Sequence, residues 1–228
     1  MCMSLRIEPK EMAEVLVKIR KMSFAQEMSI KLGKSLIMSG DLYPADIAPV
    51  LAPNKYGNMA IFPMAWGFTH KAAPTPLVNC RVETADTKAL WKDSWYRRRC
   101  VIPASWYYEW GYPVYEEDSR SIIEHRNTKK IKFAIQTKDS EITYIAGLYR
   151  YEEHSGMQVP VFSVLTREAA GTVKDIHDRM PVILGKESLC DWIRPDGEPC
   201  AIVEKALSIM AFEKAVEYHK SPTEFITV

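Results

Sequence analysis

Seven short stretches of this chain have the look of strands, and the five that crowd its middle, from Val101 on, are β-branched or aromatic and mostly alternate. Met59–Phe68, Pro76–Val82, Val101–Pro103, Trp106–Trp110, Ile131–Thr137, Ile142–Arg150 and Val159–Leu165 read as strands, and Met180–Leu184 adds another further on. Leu42–Pro53 is extended and punctuated by prolines. Helical spacing appears around this block. In residues 8–21, Pro9 suits a first turn and Met12, Leu16 and Ile19 share a face. Thr84–Tyr96 reads as an amphipathic helix with Thr84 as its N-cap, Arg167–Lys174 as a short helix and Pro199–Met210 as another. Central strands flanked by helices, without βαβ alternation, predict an α+β fold. Its core is expected to be a largely antiparallel, barrel-like sheet. No G-x-G-x-x-G follows a strand, which argues against a dinucleotide-binding sheet.

The 228 residues contain no internal repeat, low-complexity tract or Pro/Gly/Ser linker, so one domain over 1–228 is expected. The net charge of +1 is low for a protein that grips duplex DNA by bulk electrostatics; any nucleic-acid contact must be local. Five cysteines, an odd number with no C-x-x-C pair, disfavour a disulfide framework and a zinc site, and neither metal nor cofactor is expected. No stretch approaches the roughly 18–20 apolar residues of a membrane span. The N-terminus lacks the apolar core of a secretory signal. The expected location is therefore cytoplasmic, nucleoid-associated in a bacterium or nuclear in a eukaryote. Nothing in the sequence demands more than a monomer.

Cys2 directly follows the initiator methionine. Removal of Met1 would leave an amine and a thiol on adjacent carbons. With ordinary pKa values of roughly 7.7–8.0 and 8.5, a sizeable minority of each is nucleophilic near neutral pH. A 1,2-aminothiol reacts with an aldehyde by forming a Schiff base, which the thiolate then closes to a thiazolidine. The plain alternative is a cysteine in a frayed terminus. Asn79 and Arg81 share one face of a strand, where an amide and a guanidinium could orient a sugar and clamp a phosphate, or simply face water. In Trp106-Tyr107-Tyr108-Glu109-Trp110, period two separates Glu109 and Tyr107 from the other aromatics. A desolvated Glu109 would suit acid–base chemistry; a solvent-facing one would not. His177, in Ile176-His177-Asp178-Arg179-Met180-Pro181, could shuttle protons or be a loop histidine. Arg97, Arg98 and Arg99 follow Trp91 and Trp95, either as a single-strand platform or as cations at a helix end above core tryptophans.

Together, and in this order, these blocks resemble the SRAP family, the SOS response-associated peptidases known for covalent capture of abasic sites. The resemblance is carried by Cys2, Trp66-Gly67-Phe68, Asn79-Cys80-Arg81-Val82-Glu83-Thr84 and Arg99-Cys100-Val101-Ile102-Pro103-Ala104. It continues through Trp106–Trp110, Ala146-Gly147-Leu148-Tyr149 and His177-Asp178-Arg179-Met180-Pro181-Val182-Ile183-Leu184. It implies that Cys2 cross-links to the sugar aldehyde, that Asn79 holds the amine and sugar, and that Glu109 transfers protons during Schiff-base formation. His177 would act on the opened sugar, in strand cleavage or reversal. Arg81 would meet a flanking phosphate, with Trp66, Arg97, Arg98, Arg99 and Arg179 supporting the strand. The implied partner is single-stranded DNA carrying abasic sites, with associated lyase and self-processing activity. Where the family usually continues Cys-Gly-Arg, this chain has Cys2-Met3-Ser4, which removes one phosphate contact. The rival expectations are a thiol (auto)peptidase using Cys2, His177 and Asn79, and a passive single-strand binding module.

Overall fold

The structure, a computed structural model, describes residues 4–8, 19, 21–112, 130–137, 140–197, 199–201 and 203–204, together with the backbone of 216–220. In chain order the elements are β1 (Leu5–Ile7), α1 (Ser23–Leu32), β2 (Gly40–Leu42), β3 (Ile47–Pro53), β4 (Met59–Trp66), β5 (Asn79–Arg81), α2 (Ala89–Arg97), β6 (Arg99–Ala104), β7 (Trp106–Gly111) and β8 (Ile131–Thr137). They continue with β9 (Thr143–His154), β10 (Met157–Glu168), β11 (Arg179–Pro181), β12 (Ile183–Leu184), α3 (Leu189–Ile193) and β13 (Val216–Lys220).

The fold is α+β, and its strands form two sheets. Strands β10, β4, β3, β6 and β9 close on themselves into a barrel. Within it only the β10–β4 pair is parallel. A second sheet runs β13-β8-β7-β1-β2, antiparallel throughout. Alternation along the barrel strands divides their side chains. Val50, Trp66, Ile102, Ile145, Phe162 and Val164 join Leu5, Tyr107, Phe133 and Ile135 of the second sheet in one core. Leu51, Val101, Leu148, Val161 and Leu165 pack instead with Met28, Trp91, Trp95, Trp192 and Ile193 from the helices. A period of two thus lets the same strands bury both faces.

Several boundaries differ from the sequence expectations. Helix α2 begins at Ala89, not Thr84: residues Val82–Thr84 form a 3-10 turn, and the Thr84 carbonyl receives the Lys88 amide at 3.1 Å. Arg167 and Glu168 extend β10, held by pairing to Met180 and Arg179, and only Gly171–Asp175 turn as a 3-10 helix. The expected strand Met180–Leu184 splits between β10 and β9, with β11 on one and β12 on the other. Helix α1 was not anticipated; only Ala25 and Met28 of it are buried, too few for a periodic signal. Of the helix expected over 8–21, residues 9–18 and 20 lie outside the described residues, as does 205–210 of the helix expected over Pro199–Met210. No described helix is long and apolar enough to cross a membrane.

Candidate functional site

The second sheet lays β1 against β7, the strand that carries Glu109. Strand β1 pairs with β7, Leu5 opposite Tyr107 and Arg6 opposite Trp106, and the Tyr108 amide donates to the Ser4 carbonyl at 3.0 Å. Cys2 lies outside the described residues. At roughly 3.3–3.6 Å of chain per residue, it is tethered within about 7 Å of Ser4.

On β7 Tyr107, Tyr108 and Glu109 are buried, while Trp110 is exposed. Glu109 is 3% exposed. Burial pushes its carboxyl up to about 7, with the negative charge of Asp178 adding to the rise. Glycine at position 111 is required by close approach. A Cβ there would stand 2.7 Å from both the Ile176 Cγ2 and the Ile176 carbonyl oxygen, so β7 presses against the segment that carries His177.

His177 follows the 3-10 turn, and its amide donates to the Val173 carbonyl at 2.9 Å. Its Nε2 lies 4.0 Å from Glu109 Oε2. Its Nδ1 has two neighbours, the Arg179 amide at 3.0 Å and Asp178 Oδ1 at 2.6 Å. One nitrogen cannot accept from the first while donating to the second. Burial lowers the His177 pKa, with Lys130 acting in the same direction and Asp178 opposing. Asp178 is also 83% exposed, so water screens its pull. The neutral ring is therefore favoured: Nδ1 accepts from Arg179, and Nε2–H faces Glu109. On protonation, Nδ1–H has Asp178 waiting as its acceptor.

Asn79 heads β5 opposite Val164, and Arg81 lies opposite Thr166. The Asn79 side-chain oxygen is buried; Arg81 is exposed. The Arg179 guanidinium fastens this segment to the histidine loop. It donates to both Glu83 oxygens, at 2.7 and 2.9 Å, and to the Thr166 carbonyl at 2.8 Å. Glu83, Asp178 and Gly111 were not singled out from the sequence. Glu83 and Asp178 sit inside the quoted blocks, but only three-dimensional pairing reveals their tasks.

The remaining expected DNA contacts separate into buried and exposed groups. Trp66 is fully buried, stacked 5.9 Å from Phe162, and its Nε1 donates to the Val78 carbonyl at 3.0 Å. Arg99 is 1% exposed and donates to the carbonyls of Trp192, Trp95, Tyr96 and Arg194. Direct contact with DNA is not open to either; Arg99 ties α2 to α3. Arg97 is exposed and Arg98 half-buried, and both are ion-paired with Asp93. Burial pushes the Cys80 thiol up to about 12 and the Cys100 thiol well above its ordinary value, which suits neither to nucleophilic attack. Among the described residues, no three His, Cys, Asp or Glu side chains group as a metal site.

A closed barrel, strand β1 laid on an acid-bearing strand and an imidazole facing that acid define a small α+β protein with a carboxyl–histidine site on the strand that pairs with β1. The chain belongs to the SOS response associated peptidase (SRAP) family, whose description matches residues 1–224. Among curated proteins it is similar to the abasic site processing protein YoaM of Bacillus subtilis, with 34% identity over 120 residues, 52% of this chain and 48% of that protein. YobE of the same species is 28% identical over 167 residues, 68% and 71% of the two chains. YedK of Escherichia coli is 29% identical over 144 residues, 61% and 57%. The matches span about half the length of the first of these relatives. A solved structure of a Bacteroides thetaiotaomicron protein shares the fold, with TM-score 0.67 and 18% identity across 96% of this chain and 91% of that one.

Proposed function

We propose that this protein captures abasic sites in single-stranded DNA through a thiazolidine formed by Cys2 after Met1 is removed. The relatives named above are abasic site processing proteins. The observation that carries the reading is Glu109, a buried carboxyl held near 7 on the strand that pairs with β1. Such a group can give and take a proton near neutral pH.

In the proposed reaction the abasic sugar opens to its aldehyde, with Glu109 giving a proton to the ring oxygen and taking the anomeric hydroxyl proton in return. The Cys2 amine adds to the aldehyde carbon, and one of its protons moves to the oxygen to give the carbinolamine. Glu109, protonated again, then gives its proton to the hydroxyl, which leaves as water with the nitrogen lone pair forming the C=N bond of the protonated Schiff base. The Cys2 thiolate attacks the same carbon, its electron pair forms the C–S bond, and the nitrogen retains one hydrogen. One water is released and no oxidant is needed. Asn79 holds the amine and sugar, and Arg81 pairs with a flanking phosphate. His177 acts after capture, moving the proton for strand cleavage or reversal.

The test is incubation of full-length protein with an oligonucleotide bearing one abasic site, single-stranded or fully paired, followed by a denaturing gel. A heat-stable adduct that forms faster on the single strand is expected. A binder without chemistry gives no adduct, and that outcome overturns the proposal. Mass spectrometry of the same protein tests the peptidase reading, which requires cleavage of substrates beyond Met1.

A further inference from the structure

We propose that Arg179, held by Glu83, is a positioning residue that fixes His177 in the tautomer whose Nε2–H faces Glu109; this rests on the acid–base role given to His177 above. A backbone amide can only donate, so where the 3.0 Å contact from the Arg179 amide prevails over the Asp178 carboxylate at 2.6 Å, His177 Nδ1 carries a lone pair. The proton of the neutral ring must then sit on Nε2, the nitrogen 4.0 Å from Glu109 Oε2.

That amide belongs to the first residue of β11, a strand of three residues, where Arg179 pairs with Glu168. Terminal ladder positions open most easily. The side chain of the same residue opposes opening. Its planar guanidinium meets Glu83 through two parallel bonds, 2.7 and 2.9 Å, and the Thr166 carbonyl through a third at 2.8 Å. The side chain is 13% exposed. The hydrogen bond from Arg179 also holds the Glu83 carboxyl below its ordinary value, so the pair stays charged through neutral pH. Asp178 offers the competing partner for Nδ1 at 2.6 Å. Loosening Arg179 would release the ring toward the Nδ1–H tautomer, with Nε2 turned into an acceptor facing Glu109.

The experiment uses full-length protein labelled with 15N-histidine and long-range proton–nitrogen NMR at pH 7, with His177→Gln identifying the His177 signals. Native protein is expected to show an unprotonated Nδ1 and a protonated Nε2. Glu83→Ala should shift both nitrogens toward averaged values. Arg179→Lys, which keeps the charge but loses the fork, should do the same, and Glu83→Gln should fall between. In single-turnover assays across pH 5.5–8.5, Glu83→Ala should slow the step after capture at least about fivefold and move its pH profile, with affinity for an undamaged strand within twofold of native. The positioning role is overturned if the tautomer signals of Glu83→Ala and Arg179→Lys match the native ones. It is equally overturned if affinity for the strand falls while those signals stay put. Absence of any adduct in native protein would sink the proposed function alone, since the NMR readout does not depend on it.

Discussion

His177 Nε2 stands 4.0 Å from Glu109 Oε2, so neither group can change charge without the other sensing it. Groups this close titrate as a pair. Burial raises the pKa of the acid and lowers that of the base, which favours both neutral forms near pH 7. Passing one proton from carboxyl to imidazole creates an ion pair with Asp178 at its outer end. The pair can thus supply an acid at one moment and a base at the next.

Glu109→Gln keeps size and hydrogen bonding but cannot exchange the proton. Capture of the abasic site should slow by at least about tenfold, a floor set below the usual 10²–10⁴-fold worth of a positioned acid or base. His177→Ala should still form adduct while cleavage or reversal slows. Single-turnover time courses at pH 5.5–8.5 separate the two. An unaltered capture rate for Glu109→Gln, or loss of capture in His177→Ala, would contradict this division.

The buried carboxyl also ties stability to pH. In the unfolded chain Glu109 releases its proton near 4.5, and in the fold near 7. Between those values the folded state holds the extra proton, so this residue makes stability fall as pH rises. At 1.36 kcal/mol per pH unit, the loss is at most about 3 kcal/mol. His177 has the opposite sign, its lowered pKa making stability rise through its own range. Glu109→Gln should therefore gain on native protein in urea midpoint between pH 4.5 and 7. A constant difference across that window would show that Glu109 is not held protonated by the fold.

Cys2→Ala should abolish the heat-stable adduct, and so should an extra residue before Cys2 that blocks removal of Met1. The fold narrows the alternatives, because Cys80 and Cys100 are buried thiols with raised pKa values. Full adduct yield from Cys2→Ala, measured on a denaturing gel, would point to an exposed thiol such as Cys190 or Cys200.

Much of the barrel was legible because a spacing of two is a direct statement about which face a side chain takes. The seven central stretches fall on β4 to β10, and the separation of Tyr107 and Glu109 from Trp110 is visible in the sequence. Turn chemistry was less legible. Thr84 reads as a helix cap, yet its carbonyl closes a turn and α2 starts at Ala89. Burial of long side chains with polar tips was the largest blind spot. Trp66 and Arg99 look like surface contacts in one dimension, but carbonyls from Val78, Trp95, Tyr96 and Trp192 satisfy them inside. No local pattern announces acceptors that lie about ninety residues away, as Trp192 does from Arg99.

Arg99→Met tests that burial. The substitution keeps an apolar stem but strands the carbonyls of Trp95, Tyr96 and Trp192 without their charged donor. A cost of about 2–5 kcal/mol is expected. It should appear as a lower denaturant midpoint, with strand affinity of the folded fraction unchanged. Native-like stability with weakened DNA binding would return Arg99 to the DNA-contact role.

Gly111→Ala probes how the site is assembled without touching an ionisable group. The backbone at 111 is not in the left-handed region, so the penalty is steric alone. The added Cβ would lie 2.7 Å from the Ile176 carbonyl oxygen, well inside contact distance, and Ile176 immediately precedes His177. Relief requires β7 or the 176–178 segment to move by several tenths of an ångström. Overpacking of this kind costs about 1–3 kcal/mol. Moving the segment also lengthens the 4.0 Å separation of His177 and Glu109. In the proposed reaction capture depends on Cys2 and Glu109, and the later step on His177. Gly111→Ala should therefore slow cleavage or reversal more than capture, and the gap should narrow in Gly111→Ala/Ile176→Ala, where the crowding Cγ2 is gone. Equal slowing of both steps, unrelieved in the double variant, would mean that β7 and the histidine loop are not coupled through this contact.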